Sequence, residues 1–209
     1  MRFPGPTHLA IALGGGAAPA VQFVLWGGGA GEAAALGGLT GAATGAAYSL
    51  HRVIKSRRAP EDLPPERRAF LLAHGGELLA AWGMALLAAG CAFLAHAPHL
   101  AGRMLSPVGL VGVALAGAAT LGYAVLPGRR AAGRELPGAK LPWIALTWAG
   151  LSVAFPAWLV AEGSWPAGWG WAAAAQAAFV AGITVPFDVR DAAVDAEAMR
   201  TLPDRKSVV

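Results

Sequence analysis

The stretch FLLAHGGELLAAWGMALLAAGCAFLA, residues 70–95, holds one carboxylate, Glu77, and neither lysine nor arginine. An α-helix needs about 20 consecutive apolar residues to cross a hydrocarbon core of about 30 Å, and this run exceeds that. Lipid offers backbone N–H and C=O groups no partners, so such a run must be helical despite its glycines. Five more runs of the same character occupy roughly residues 9–26, 30–50, 105–126, 141–160 and 165–186. The whole chain agrees with them: of 209 residues 56% are hydrophobic and 13% charged, about half the charged share of an ordinary soluble domain. Mean hydropathy is +0.52. The pattern predicts an all-α, multi-pass transmembrane bundle of six spans, forming one integral membrane domain over 1–209 with a polar cytoplasmic tail at 187–209.

The first run has no basic region stronger than Arg2 and His8 before it and five runs after it, which argues against a cleaved signal peptide. A lone cysteine, Cys91, excludes an internal disulfide and a thiolate metal cluster, leaving packing as its expected role. The formal charge of +4 invites a nucleic-acid reading, but its distribution opposes one. Six basic residues fall at 51–69, four at 127–140, four after the sixth run, and Arg2 precedes the first. Only Arg103 lies in an opposite loop. This alternation predicts that both termini are cytoplasmic, which requires an even number of crossings.

Within the runs, Gly37, Gly41 and Gly45 recur every fourth residue with Ala33 continuing the line, a face that lets a neighbouring helix approach closely. Packing inside the bundle is the expected use, ahead of a homodimer seam. Pro19, Pro107 and Pro156 are positioned to bend spans. Trp26, Trp143, Trp165, Trp169 and Trp171 lie near span ends as interfacial anchors should. Glu77, one turn after His74, is expected to face a cavity, pair across the bundle, or sit shallower than the run suggests.

The segment VPFDVRDAAVDAEAMRTLP, residues 185–203, breaks the apolar pattern, with Pro186 as the expected boundary. On a helix, Asp188, Asp191 and Asp195 share one face, because steps of three and four residues return to the same side. Three like charges there repel one another, and a divalent cation would remove the repulsion. Carboxylates are hard ligands suited to Mg²⁺, which binds phosphates as well. Arg190 and Arg200 add forked donors for phosphate oxygens. A solvated amphipathic tail is the competing reading.

DVRDAAVDAEAMRTLP resembles the second aspartate-rich motif of the UbiA-type intramembrane aromatic prenyltransferases, with its Asp-x-Arg-Asp, further Asp and Thr-Leu-Pro. YSLHR at 48–52 and RELPGAKLPWIALTWAGLSVAFP at 134–156 resemble a small bacterial UbiA-like group. The resemblance implies Mg²⁺-dependent transfer of a prenyl group from an isoprenyl diphosphate to a lipophilic acceptor, in a bacterial inner membrane. Asp188, Asp191 and Asp195 would then ligate magnesium and act in catalysis, with Arg190 and Arg200 supporting the diphosphate. The motif follows the sixth helix in that family, and six runs precede it here.

The family's first aspartate motif is not matched: YSLHRVIKSRRAPED stands there, with Tyr48, His51 and Arg52 where carboxylates would be wanted. Two readings stand. Arg52 with Lys55 holds the diphosphate directly in place of a metal, or these cations only fix topology in a noncatalytic relative that binds an isoprenoid or partner helices. The family's last three helices have no counterpart after Pro203, so either the product is truncated or another chain or copy completes the chamber wall. A transporter built around Glu77 is the remaining alternative.

Overall fold

In a computed structural model the described residues are 5–58, 63–125, 140–161 and 163–195, and every regular element among them is helical. Side chains are described from His8 in the first helix and as far as Val185 in the last. The elements are α1 (Gly5–Leu25), α2 (Ala30–Arg58), α3 (Pro65–His96), α4 (Pro98–Met104), α5 (Pro107–Val125), α6 (Lys140–Ala149), a π-helical turn (Gly150–Ala154), α7 (Phe155–Val160) and α8 (Trp169–Asp195).

α1 and α2 form an antiparallel pair joined by a short turn in which Gly27 has φ of +93°, a conformation glycine adopts without penalty. Their backbones nearly touch. A methyl group built on Gly16 would overlap the Gly37 carbonyl oxygen, and one on Gly41 would lie 2.9 Å from the Ala12 carbonyl oxygen. Gly45, next on the same line, meets the Trp82 ring of α3 instead, and Ala33 is buried at the other end. The four-residue repeat is therefore consumed inside the chain, as expected. α2 is the central helix, packed against α1, α3 and α5.

α3 begins at Pro65, whose missing N–H is needed by no helical bond at that position, and Pro98 enforces its end. Ala97, fully buried, is both the C-cap of α3 and the N-cap of α4. α4 and α5 meet at an angle of 75°. At that elbow the Ser106 hydroxyl donates to the Arg103 carbonyl (2.6 Å) and accepts from the Gly109 N–H (3.1 Å), an N-cap for α5. α6 and α7 are one continuous helix interrupted by the π turn, where the Phe155 N–H reaches back five residues to the Gly150 carbonyl. Pro156 follows at once and donates nothing, so the widened turn lies where a regular ladder would already have lost a bond.

Three of these helices are long and apolar enough to cross a membrane, over His8–Leu25, Pro65–His96 and Leu141–Val160, and the bent pair of α4 and α5 makes up to four. The six expected spans are thus met in part. α2 is 29 residues long, but glycine, threonine, tyrosine and serine dilute its apolar content. Among them Gly41, Gly45 and Ser49 are buried against protein, where close approach matters more than lipid solubility. The apolar part of α8, Trp169–Val185, is a little short. Pro186 does not end α8, which continues to Asp195, so the first residues of the expected tail are helical. On the outside lies a belt of exposed Leu72, Met84, Leu87, Leu94, Leu115 and Phe179, more than a water-facing surface tolerates.

The outer end of the bundle, meaning the end away from where α2 ends and α3 starts, has the larger core. Phe23, Ala33, Leu36, Phe93, Ala97, Leu100 and Leu159 bring α1, α2, α3, α4 and α7 together. Arg103 seals it. Its Nη2 donates to the Trp158 carbonyl (2.8 Å) and to that of Ala161, while the guanidinium lies 5.5 Å from the centre of the Trp158 ring. Nearby, Glu32 accepts from the Gly29 N–H and lies 3.2 Å from His99.

Two outcomes test this packing. Gly16→Ala should cost about 1–3 kcal/mol of stability in a detergent melt, because the obstructing atoms are backbone. Gly14→Ala, where the added carbon meets nothing within 4 Å, should melt with the parent. Arg103→Ala should cost about 2 kcal/mol, the scale for hydrogen bonds to a charged group, with Arg103→Lys recovering only part because an ammonium lacks the planar fork.

Candidate functional site

The opposite end of the bundle, where α1 starts, α2 ends and α3 starts, collects buried polar groups and cations. His8 is 6% exposed and Ser49 fully buried, with the His8 Nδ1 and Ser49 Oγ 2.8 Å apart. The proton in that bond belongs to whichever partner the imidazole tautomer dictates. The edge of the His8 ring also meets Tyr48, with centroids 4.9 Å apart and planes at 75°. Tyr48 in turn holds Arg52: the Arg52 Nε donates to the phenol oxygen (3.0 Å) and the guanidinium carbon lies 5.0 Å from the ring centre. One turn of helix separates Tyr48 from Arg52, so α2 alone prepositions this pair.

α3 starts at the same end of the bundle and carries a further arginine, Arg67. Gly75 opposes Val53 of α2, Leu71 is buried with Val53 and Leu63, and Arg67 lies four residues before Leu71 on that face. Arg67 is half-buried, unlike its exposed neighbours Glu66 and Arg68. Lys55 is half-buried in the last turn of α2, whose basic residues suit the negative end of the helix dipole.

The acids of the C-terminal motif are on α8. Because α8 is helical through Asp195, positions 188, 191 and 195 share one face of its backbone. Its direction follows from its neighbours. The Trp143 Nε1 donates to the Ala119 carbonyl, tying the start of α6 to the late part of α5, and α7 ends at Arg103 in the outer core. α8 starts after that end and packs back along α6 and the π turn. Its 27 residues span about 40 Å at 1.5 Å each, so its last turns lie toward the end that carries His8 and Arg52. The side chains of Asp188, Arg190, Asp191 and Asp195 lie outside the described residues, as does all of Arg200. Among the described residues no three His, Cys, Asp or Glu side chains are grouped closely enough to hold a metal ion.

Glu77 belongs to none of this. It is 80% exposed and lies 3.1 Å from His74 on its own helix, not across the bundle or in a cavity. The charged residues of α3 fall in its first 13 positions, up to Glu77, and the 18 residues 78–95 that follow carry no Asp, Glu, Lys, Arg or His before His96 ends the helix. That length is about 27 Å of helix, enough for the hydrocarbon core, so Glu77 fits the shallow position.

Arg52, a residue the sequence singles out, is thus an ordered member of a cluster. His8 and Ser49 are members that sequence reasoning missed, because a partner 41 positions away leaves no periodic signal. Ser49→Ala strands the buried His8 nitrogen and should lower thermal stability by about 1–3 kcal/mol, whereas Ser→Ala at exposed Ser164 should be neutral. Comparison with family models, with curated proteins and with solved structures finds no match to this chain.

Proposed function

We propose that the chain is a six-crossing membrane protein of the bacterial inner membrane, with cytoplasmic termini, that binds an isoprenyl diphosphate at its basic inner mouth and transfers the prenyl group to a lipophilic acceptor. The observation that carries this reading is the helical course of α8 through Asp195, which gives Asp188, Asp191 and Asp195 a common face. In the crossing pattern, α1, α3 and the α6–α7 helix run outward, and α2, α5 and α8 return. The resemblance to the UbiA-type prenyltransferases supplies the reaction class.

A hard oxygen donor set of this kind fits magnesium, which when bound neutralises the charge that develops on a leaving diphosphate. The chain's own residues then have separate tasks. Arg190 and Arg200 offer forked donors to phosphate oxygens, and Arg52 and Lys55 add cations from α2. The surrounding apolar helices hold the isoprenoid tail and exclude water. The bond from the prenyl C1 to the diphosphate oxygen breaks with its electron pair going to the diphosphate. The acceptor forms the new bond to C1 and releases a proton.

A second reading is a noncatalytic isoprenoid-binding relative, completed by a second copy or by partner helices. It is favoured by one observation: at the place where the resemblance calls for carboxylates, Arg52 is held by a phenol.

Purified protein in lipid nanodiscs, given radiolabelled allylic diphosphates and magnesium, should release diphosphate. Asp191→Asn should lower that rate at least 100-fold with an unchanged melting temperature. Equal release by parent and variant, or none from any donor and acceptor tried, removes the transfer reading and leaves the noncatalytic one.

A further inference from the structure

Two glycine contacts fix the register of α2 against α3: Gly45 meets the Trp82 ring, and Gly75 meets Val53. The helices are antiparallel, so each step forward on α2 is a step back on α3, and both contacts put Arg52 level with Gly75 or Gly76, within two residues of Glu77. Glu77 is the last charged residue of α3 before the apolar run 78–95. α1 reaches the same level at its start, because His8 pairs with Ser49, three residues before Arg52, and α1 begins at Gly5, three residues before His8. Three helices thus agree on one plane, the boundary of the hydrocarbon, and the headgroups occupy the next 5–7 Å or so outside it. Arg52 is the first arginine or lysine of α2 to reach that plane, with Lys55, Arg57 and Arg58 following further out.

Arg52 is held there. Its Nε donates to the Tyr48 phenol (3.0 Å), and the guanidinium carbon lies 5.0 Å from the centre of the Tyr48 ring. Both contacts are neutral, and among the described residues no carboxylate pairs with Arg52. A half-buried cation at the edge of lipid with only neutral partners lowers its energy by taking an anion. A guanidinium anchored through Nε still offers its two terminal amino groups, a fork that matches two phosphate oxygens. The surrounding charge favours the same ligand: between residues 52 and 68 six basic residues outnumber three acids, a collar that concentrates anionic headgroups.

We propose that this end of the bundle is a docking surface for an anionic phospholipid, its phosphate held by the Arg52 fork and its acyl chains in the apolar layer where Leu9 and Leu13 of α1 are exposed, with Tyr48 as the residue that positions Arg52. This goes beyond the transfer reading and does not need it. Where both hold, an isoprenyl diphosphate displaces the phospholipid from Arg52.

The test is native mass spectrometry of full-length protein released from nanodiscs of phosphatidylcholine and phosphatidylglycerol in equal amounts, with EDTA, at about 0.15 M ionic strength, where charges more than about 8 Å apart are screened. The parent should retain phosphatidylglycerol over phosphatidylcholine. Arg52→Gln should lower retained phosphatidylglycerol about fivefold, the scale of one basic side chain acting on an anionic headgroup. Arg52→Lys keeps the charge without the fork and should recover part of it, which separates a lost phosphate contact from a lost fold. Arg57→Gln removes an exposed charge about 7 Å further along α2 and should stay within about twofold. Tyr48→Phe should lower retention about twofold in the parent and not at all in Arg52→Gln, the signature of a residue acting through Arg52. Retention by Arg52→Gln equal to the parent's overturns the proposal, as does a parent with no preference between the two lipids. An equal loss in Arg57→Gln replaces the site with a diffuse field, and release of the lipid by excess inorganic phosphate replaces it with a site for free anions. No magnesium or prenyl donor is present, so a failure here leaves prenyl transfer standing, and a failure of transfer leaves the lipid site standing.

Discussion

Backbone contact between α1 and α2 is the constraint from which the rest of the bundle follows. Lipid is as apolar as leucine, so apolar helices gain little from each other unless they fit closely enough for dispersion forces to act over many atoms. At Gly16, Gly37 and Gly41 the absence of side chains removes everything that would hold the two helices apart. A seam that tight has one register. That register sets His8 beside Ser49 at one end and Phe23 beside Ala33 and Leu36 at the other, so a contact without chemistry of its own determines both the buried polar cluster and the outer core. α3 is then added to the far side of α2 through Gly45 with Trp82 and through Gly75 with Val53, again at glycines.

Much of this was legible in the sequence. The 30 Å requirement picks out the apolar runs, and the repeat from Ala33 to Gly45 announces a packed face, because both signals are local and periodic. Helix ends were less legible. α2 runs on to Arg58 because its basic last turn complements the helix dipole, and α8 continues past Pro186 because a proline weakens a helix without always ending it. Which of its expected settings Glu77 takes was not legible, since a run of apolar residues does not say which of them reach the hydrocarbon. Contacts across the bundle were not legible at all. Nothing near His8 names Ser49, and nothing near Arg67 distinguishes it from Arg68 until Leu71 is seen to be buried.

Arg103 shows how an exception to a pattern can have its own physical cause. It is the one basic residue that departs from the charge alternation expected from the sequence. The carbonyls at the end of α7 lack intrahelical partners, and in an apolar setting such groups are costly. The guanidinium donates to those of Trp158 and Ala161, the first of which also accepts a long bond from the Ala161 N–H, while its face rests against the Trp158 ring. Its charge is held at the C-terminal end of a helix, where the helix dipole favours a cation.

The π turn has a geometric consequence for the helix that contains it. Ala145, Ala149, Val153 and Ala157 are all buried and recur every fourth residue. In an α-helix of 3.6 residues per turn, four residues overshoot a full turn by about 40°, so three such steps would swing the line through about 120° and carry its last member away from the protein. A wider turn advances less per residue, and the segment 150–154 takes back most of that drift. The bulge works as a phase correction: it lets a sequence with a four-residue rhythm keep a straight face toward α1 and α8 over the full thickness of the bundle.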